Sequence, residues 1–160
     1  AAFLNAPIDI ELYAQPPKYV RYSHPVVWRL RRALYGYRRA PVLFHSHLTR
    51  EFATLGLQQC RSDPSIYYRK VAEKVNLIAF VHVDDLFAVG EEQTINDFFK
   101  EVGKLMEFKP GAWLTEEEPL RFIGKTLQRH RGGVMIWHSA EYLKGMAAQV
   151  GLQEGSRPLT

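Results

Sequence analysis

Apolar residues recur along the chain with helical spacing in two segments, which predicts two amphipathic helices. The first helix begins near Pro41 and ends at Gly56, because glycine commonly follows the last turn of a helix. The second begins after Gly90 and is ended by Lys109-Pro110-Gly111. The residues predicted to face inward are Leu43, Phe44, His47, Leu48, Phe52 and Leu55 in the first helix and Ile95, Phe98, Phe99, Val102 and Leu105 in the second.

Shorter segments, either alternating or continuously apolar, predict strands at 66–69, 77–83 and 86–89. Before the first helix we predict a strand end at Phe3-Leu4, an irregular proline-containing connection over 5–25, and a strand at 26–30. After the second helix, 120–129 and 134–137 predict a hairpin across 131–133. Ser139 then caps a last helix, whose predicted inward residues are Tyr142, Leu143, Met146 and Val150. This order predicts an α+β fold with helices on one face of an antiparallel sheet.

Two adjacent carboxylates, Asp84 and Asp85, separate the apolar strands 77–83 and 86–89. A hairpin selected for folding alone favours Asn-Gly or Asp-Gly, whereas adjacent carboxylates repel and are costly to bury between apolar strands. A divalent cation removes both costs, and Mg²⁺ commonly binds one or two protein carboxylates together with substrate phosphates. The pair therefore predicts either a Mg²⁺ site for phosphoryl or nucleotidyl transfer or a solvated acidic turn.

Positive charge is concentrated in the first part of the 160-residue chain. Residues 1–50 contain eight Lys and Arg and two Asp and Glu, a balance of +6, and the remaining 13 basic and 15 acidic residues give −2, for a net charge of +4. Arginine among aromatic residues is typical of nucleic-acid binding, although a solvated surface gives the same pattern. The residues concerned are Arg29, Arg31, Arg32, Arg38 and Arg39 with Trp28, Tyr35 and Tyr37.

Several classes of protein and site are excluded by composition. The hydrophobic fraction of 46% and the charged fraction of 24% are globular values, and no apolar segment approaches the roughly 18 residues that span a membrane. Cys60 is the only cysteine, which excludes an internal disulfide and a zinc finger and indicates a reducing compartment. His45 and His47 are two residues apart on a helix and share no face, so we predict no metal site there.

Five short blocks follow one another along nearly the whole chain. They are Ala2-Phe3-Leu4-Asn5, Leu34-Tyr35-Gly36-Tyr37-Arg38-Arg39-Ala40-Pro41, Ser62-Asp63-Pro64-Ser65-Ile66-Tyr67-Tyr68, Val81-His82-Val83-Asp84-Asp85 and Phe122-Ile123-Gly124. In order and spacing they resemble the reverse transcriptase of copia-type LTR retrotransposons. The resemblance implies a polymerase palm, with a ferredoxin-like antiparallel sheet, over about 1–110 and the start of the connection to the thumb over about 111–160.

The resemblance also implies roles for single residues. Asp84 would bind two Mg²⁺ ions, and Asp85 would support this site with weaker ligation. Phe3 would stack under the nucleotide sugar and exclude a 2′-hydroxyl, although outside the family a core aromatic is the preferred interpretation. Tyr35 and Gly36 would lie beside the nucleotide and the new base pair.

The remaining implied roles concern nucleic acid and the leaving group. Arg38 and Arg39 would face the template or its phosphates, and Lys109, with Lys104 nearby, is a candidate general acid near the pyrophosphate. His82 stands where the family usually has Tyr, and a cation there would compete with the metal ions.

The family's first catalytic aspartate would lie just upstream of Ala1, so we expect this chain alone to be inactive. The expected substrates are dNTP and an RNA or DNA template with its primer. The expected context is a Pol polyprotein with fingers and integrase upstream and RNase H downstream. We expect an intracellular location, in the cytoplasm, a virus-like particle or the nucleus, with no secretion and no membrane partner.

Two other functions remain open. A ferredoxin-like or RNA-recognition module has the same order of elements, but Asp84-Asp85 would repel a phosphate backbone in the absence of metal. A folded, non-functional retroelement relic is consistent with the absent aspartate and with His82.

Overall fold

The computed structural model describes residues 2–107 and 111–152, in two compact units that divide at 109/110. The described residues confirm the predicted α+β class, with antiparallel sheets and helices. The elements of the first unit are a 3-10 helix Ala2–Asn5, β1 Pro7–Ala14, β2 Trp28–Arg32, α1 Ala40–Thr54, β3 Gln58–Gln59, β4 Ile66–Val71, β5 Lys74–His82, β6 Asp85–Gly90 and α2 Glu92–Leu105.

The main sheet of this unit is an antiparallel meander. Strands β3, β4, β5 and β6 neighbour one another in chain order, so the interleaved order of a ferredoxin-like sheet is absent from the strands described. The reason is local, because β4–β5 and β5–β6 are each joined by a two-residue turn that leaves no room for a crossover helix. Ala72 and Glu73, between β4 and β5, both have positive φ (47° and 63°), as in the hairpin turns that match strand twist.

One face of the sheet and both helices form a single core. Alternate residues of β5 are buried, as period-two patterning requires, and they lie in the same hydrophobic cluster as the buried faces of α1 and α2. Both helices therefore cover one face of this sheet, as the sequence predicted. The buried residues concerned are Leu77, Ala79 and Val81 of β5, Phe44, Leu48 and Phe52 of α1, and Ile95, Phe98 and Val102 of α2.

One detail of the predicted core is wrong. Leu105 is 38% exposed, and the neighbouring Met106 is buried in its place. Helix α2 ends at Leu105, and the extended backbone of Met106 turns that side chain into the core. The helix therefore ends one residue before the last apolar side chain that enters the core.

The N-terminal segment is more regular than predicted. Phe3 and Leu4 lie in a 3-10 helix rather than at a strand end, and β1 occupies part of the supposed irregular connection 5–25. Strand β1 pairs antiparallel with β2, which begins at Trp28 rather than at residue 26. The apolar residues of β1 alternate with Asp9 and Glu11, so the sequence did contain the signal that its prolines obscured.

The second unit consists of a three-stranded antiparallel sheet and one helix: β7 Leu120–Phe122, β8 Lys125–His130, β9 Gly133–His138 and α3 Ala140–Gln149. The predicted strand 120–129 is interrupted, because Ile123 and Gly124 form a two-residue turn with positive φ at both positions (50° and 68°). The predicted N-cap is confirmed, since the Ser139 hydroxyl accepts a hydrogen bond from the Tyr142 amide at 3.1 Å.

The predicted inward face of α3 is wrong. Its four residues, Tyr142, Leu143, Met146 and Val150, are all at least half exposed, and α3 buries none of its residues. The segment is helical as predicted, but helical spacing alone does not determine whether another element packs against the apolar side chains. Over residues 2–107 and 111–152, no helix is both long and apolar enough to cross a membrane.

Candidate active site

The two aspartates lie at the end of the β5–β6 hairpin. His82 pairs with Asp85 across the strands, which leaves Val83 and Asp84 as a two-residue turn. Val83, predicted to be the last residue of the strand, has φ +54°. A β-branched residue is rare in this left-handed region, and such strain persists only where the surroundings impose it. The long strand pairing on both sides imposes it here, from Leu77–Gly90 outward to His82–Asp85.

Both carboxylates are exposed, so they do not bear the cost of burial between apolar strands. The hairpin extends beyond the covered part of the sheet, so its turn reaches solvent. Neither the Asp84 nor the Asp85 side chain has a hydrogen bond or ion pair within the part of the chain that the structure describes. Their oxygen atoms are therefore free to accept a cation, and as hard ligands they suit Mg²⁺.

The donor set at this turn is small. Across the described ranges, no group of three or more His, Cys, Asp or Glu side chains could hold a metal ion. His82 is exposed opposite Asp85, and no hydrogen bond or ion pair joins the two side chains. Two carboxylates fit a Mg²⁺ ion that takes its remaining ligands from substrate phosphates and water, and they do not form a complete protein cage.

Near its turn, the hairpin is fixed by contacts with the core and with the loop before β4. Val81 is buried, and its amide donates to the Ser65 carbonyl at 2.9 Å. At the other end of β6, a Cβ on Gly90 would lie 2.7 Å from the Asn76 carbonyl oxygen. Glycine is therefore required there by space.

An aromatic group lies between the N-terminus and the loop before α1. Phe3 is buried in the 3-10 helix, with the ring of Tyr35 4.5 Å away and that of Phe44 6.0 Å away, between centroids. Tyr35 is 61% exposed, so it presents the accessible aromatic surface of this group. Gly36 follows with φ +93°, and a Cβ there would meet nothing, so conformation rather than space requires this glycine. The structure thus brings together Phe3, Tyr35 and Gly36, and places Phe3 in the core.

The basic residues differ in whether they have a partner. Arg39 forms an ion pair with Asp9 at 2.7 Å, and Asp9 also accepts a hydrogen bond from the Tyr37 hydroxyl at 3.3 Å. Arg38 is exposed and has no ion pair or hydrogen bond among the described residues. Sequence reasoning missed Asp9. The alternation within β1 marks Asp9 as a polar position of a strand, and the strand β2 that pairs with β1 is basic.

The arginines of β2 also differ in whether their side chains have a partner. Arg29 lies 3.6 Å from Glu11, and Arg32 donates to the Asn5 carbonyl at 2.6 Å. Arg31 has no such partner in the described part of the chain. Lys109, the candidate general acid, lies outside the described residues.

The chain is similar to retroelement polymerase sequences. The family model described as reverse transcriptase (RNA-dependent DNA polymerase) matches residues 1–157. A protein of transposon Ty5-1 from Saccharomyces cerevisiae is 28% identical over 151 residues, which are 92% of this chain and 47% of that protein. The retrovirus-related Pol polyprotein from transposon TNT 1-94 of Nicotiana tabacum is 24% identical over 88% of this chain and 10% of its own length.

A third relative, the retrovirus-related Pol polyprotein from transposon RE1 of Arabidopsis thaliana, is 30% identical over 59% of this chain and 6% of its own length. The chain thus spans less than half the length of these curated relatives. No solved structure matches it. These similarities confirm the resemblance to copia-type reverse transcriptases that the five blocks carried.

Proposed function

The chain belongs to the reverse transcriptase (RNA-dependent DNA polymerase) family, and we propose that it is the palm, with the start of the thumb connection, of a retrotransposon reverse transcriptase. The reaction is transfer of a nucleotidyl group from dNTP to a primer 3′-hydroxyl. The observation that carries the proposal is the exposed carboxylate pair Asp84-Asp85 at the β5–β6 hairpin turn, whose side chains have no partner among the described residues. Adjacent like charges repel and give a hairpin turn no folding advantage, whereas a divalent cation would remove that cost.

Asp84 and Asp85 would hold Mg²⁺, with Asp84 as the principal ligand. When bound, the metal stabilises the charge that an in-line displacement at phosphorus develops on the attacking and leaving oxygens. The chain's own contribution is orientation. The β5–β6 hairpin holds the two carboxylates in place, and buried Val81 connects it to the core. Because the described residues offer only this pair, we expect no synthesis from this chain alone.

The nucleotide would lie against the exposed face of Tyr35, beside Gly36. The buried ring of Phe3 packs against Tyr35, with the ring centroids 4.5 Å apart, so its effect on sugar selection would act through the position of the Tyr35 ring. Arg38 and Arg39 lie on the same loop and would be near the template, with Arg38, unpaired among the described residues, facing its phosphates and Arg39 paired with Asp9. His82 would lie on the nucleic-acid side of the hairpin. RNA or DNA template, primer and dNTP are thus the proposed partners.

The matched relatives include Pol polyproteins, and we propose that this chain likewise belongs to a longer polyprotein. Integrase would precede it and RNase H would follow it. The missing ligands of the metal site would then come from residues outside this chain.

Primer extension on an RNA template with Mg²⁺ tests the function. The experiment compares this chain with a longer polypeptide that includes the upstream segment, and each is made as the native sequence and as Asp84→Asn. Asp97→Asn is the matched control, because Asp97 is an exposed aspartate on α2 that pairs only with Gln93. We expect synthesis from the longer form, a loss of at least about 1,000-fold in Asp84→Asn, and no loss in Asp97→Asn.

A folded longer polypeptide without synthesis would contradict the proposal. Retained binding of primer–template would then favour a nucleic-acid-binding module, and loss of both activities would favour a relic. His82→Tyr is the informative next variant, since it restores the usual family residue beside the carboxylates.

A further inference from the structure

A polar cluster between α1, β3 and β4 includes two groups that the sequence left without a role, His45 and the Ser62–Ser65 turn. His45 Nε2 lies 3.1 Å from the Pro64 carbonyl oxygen, and Gln59 Nε2 lies 2.9 Å from the same oxygen. The Tyr67 hydroxyl lies 2.8 Å from Thr49 Oγ1 and 3.2 Å from Gln59 Nε2. The ring of Tyr67 is buried, so its hydroxyl depends on these partners.

One assignment of protons satisfies these contacts. The Thr49 hydroxyl donates to the His45 carbonyl at 2.9 Å, so it accepts from the Tyr67 hydroxyl. Tyr67 then accepts one N–H of Gln59, and the other N–H of Gln59 donates to Pro64. In the tautomer that carries its proton on Nε2, His45 donates to Pro64 as well, which uses both lone pairs of that carbonyl. The network therefore converges on a single backbone oxygen.

That oxygen belongs to the turn that supports the catalytic hairpin. The Ser65 amide donates to the Asp63 carboxylate at 2.8 Å, which makes the turn compact. The Ser65 carbonyl accepts from the Val81 amide, three residues before Asp84. Hydrogen bonds on the adjacent residues Pro64 and Ser65 thus connect α1 to β5 close to the hairpin turn.

We propose that His45 and Gln59 are positioning residues that hold the Asp84-Asp85 hairpin through the Pro64–Ser65 carbonyls. This inference rests on the proposed function for its catalytic part only. In the proposed mechanism, neither His45 nor Gln59 contacts the substrate or the metal. They determine where the carboxylates stand, and a displacement of about 1 Å in a reacting group is enough to lower turnover about 100-fold.

The test uses variants that remove the donor and a matched histidine on the same helix. His45→Phe and Gln59→Glu each lose the hydrogen bond to Pro64, whereas His45→Gln keeps an N–H donor. His47→Gln is the control, because it keeps a polar side chain of similar volume at a largely buried position on α1 that pairs with Glu51. All four are measured first by amide hydrogen exchange on this chain, and then by primer extension in the longer polypeptide.

We expect His45→Phe and Gln59→Glu to lower the protection of the Val81 amide at least tenfold, with the α2 amides unchanged. In the longer polypeptide they should lower kcat at least tenfold while KM for primer–template stays within twofold. At neutral pH, His45→Gln and His47→Gln should behave as the native sequence does in both measurements.

Native protection at Val81 in both donor-loss variants would overturn the inference, as would an equal loss across α2, which reports general destabilisation. If the native longer polypeptide makes no DNA, the proposed function fails, and exchange at Val81 still decides whether the network holds the hairpin. Native kcat together with reduced protection of the Val81 amide would show that the Pro64–Ser65 turn does not position the carboxylates, and it would overturn the catalytic part of the inference.

Discussion

The pairing of Arg39 with Asp9 predicts that the two adjacent arginines contribute unequally to nucleic-acid binding. Arg38 has no ion pair among the described residues, whereas the charge of Arg39 is compensated by a carboxylate 2.7 Å away. A free arginine that contacts a phosphate releases a counterion, which makes binding depend on salt. Arg38→Ala should therefore weaken the salt dependence, and Arg39→Ala should change it little.

The magnitude follows from one phosphate contact. Each contact contributes about 0.7 to 0.9 to the slope of log K against log salt, so a fourfold rise from 50 to 200 mM costs roughly threefold in affinity per contact. Arg38→Ala should remove one such increment. Asp9→Asn removes the compensating charge without changing shape, and it should add an increment if Arg39 then reaches a phosphate. The ion pair is exposed, so breaking it should cost less than about 1 kcal/mol and leave the chain folded.

The assay is fluorescence anisotropy of a labelled RNA–DNA primer–template, titrated with each variant at four salt concentrations. Circular dichroism confirms that the variants are folded. An equal decrease in slope for Arg38→Ala and Arg39→Ala would refute the reasoning, because it would show that Asp9 releases Arg39 in the complex. An unchanged slope in Asp9→Asn, with a decrease in Arg38→Ala, would leave only Arg38 as a phosphate contact.

Two further predictions concern stability. Gly90→Ala should lower the free energy of unfolding by about 1 to 3 kcal/mol, because the new Cβ would lie 2.7 Å from the Asn76 carbonyl oxygen. Gly103→Ala should raise the free energy of unfolding by up to about 1 kcal/mol, because a Cβ on this α2 residue would meet no neighbouring atom and alanine favours the helix. Urea midpoints at constant m-value measure both, and a Gly90→Ala midpoint at or above the native one would contradict the first. Burial lowers the pKa of His47, with a smaller opposing effect of Glu51, so the unfolded chain binds more protons between that lowered pKa and 6.5. The unfolding free energy should therefore fall as pH falls through this window, and His47→Gln should flatten the profile relative to the native chain.

Local patterning was sufficient for the elements that carry the site. The helical period of α1 and α2 and the paired apolar segments of β5 and β6 are properties of neighbouring residues, so the sequence alone identified them. The position of Asp84 and Asp85 at the hairpin turn followed from the same segments. The family blocks were equally visible, because they consist of consecutive residues.

Partners separated along the chain were decided only by the tertiary structure. Asp9 meets Arg39, and His45 meets Pro64, although nothing in the local pattern brings either pair together. The apolar stripe of α3 looked as inward as that of α2, yet one is exposed and the other is buried. Periodicity reports which side of an element is apolar, whereas burial and pairing depend on which distant surface reaches that side. The sequence therefore located the Asp84-Asp85 pair at a turn between two apolar strands, and the fold determined which arginine is paired with a carboxylate.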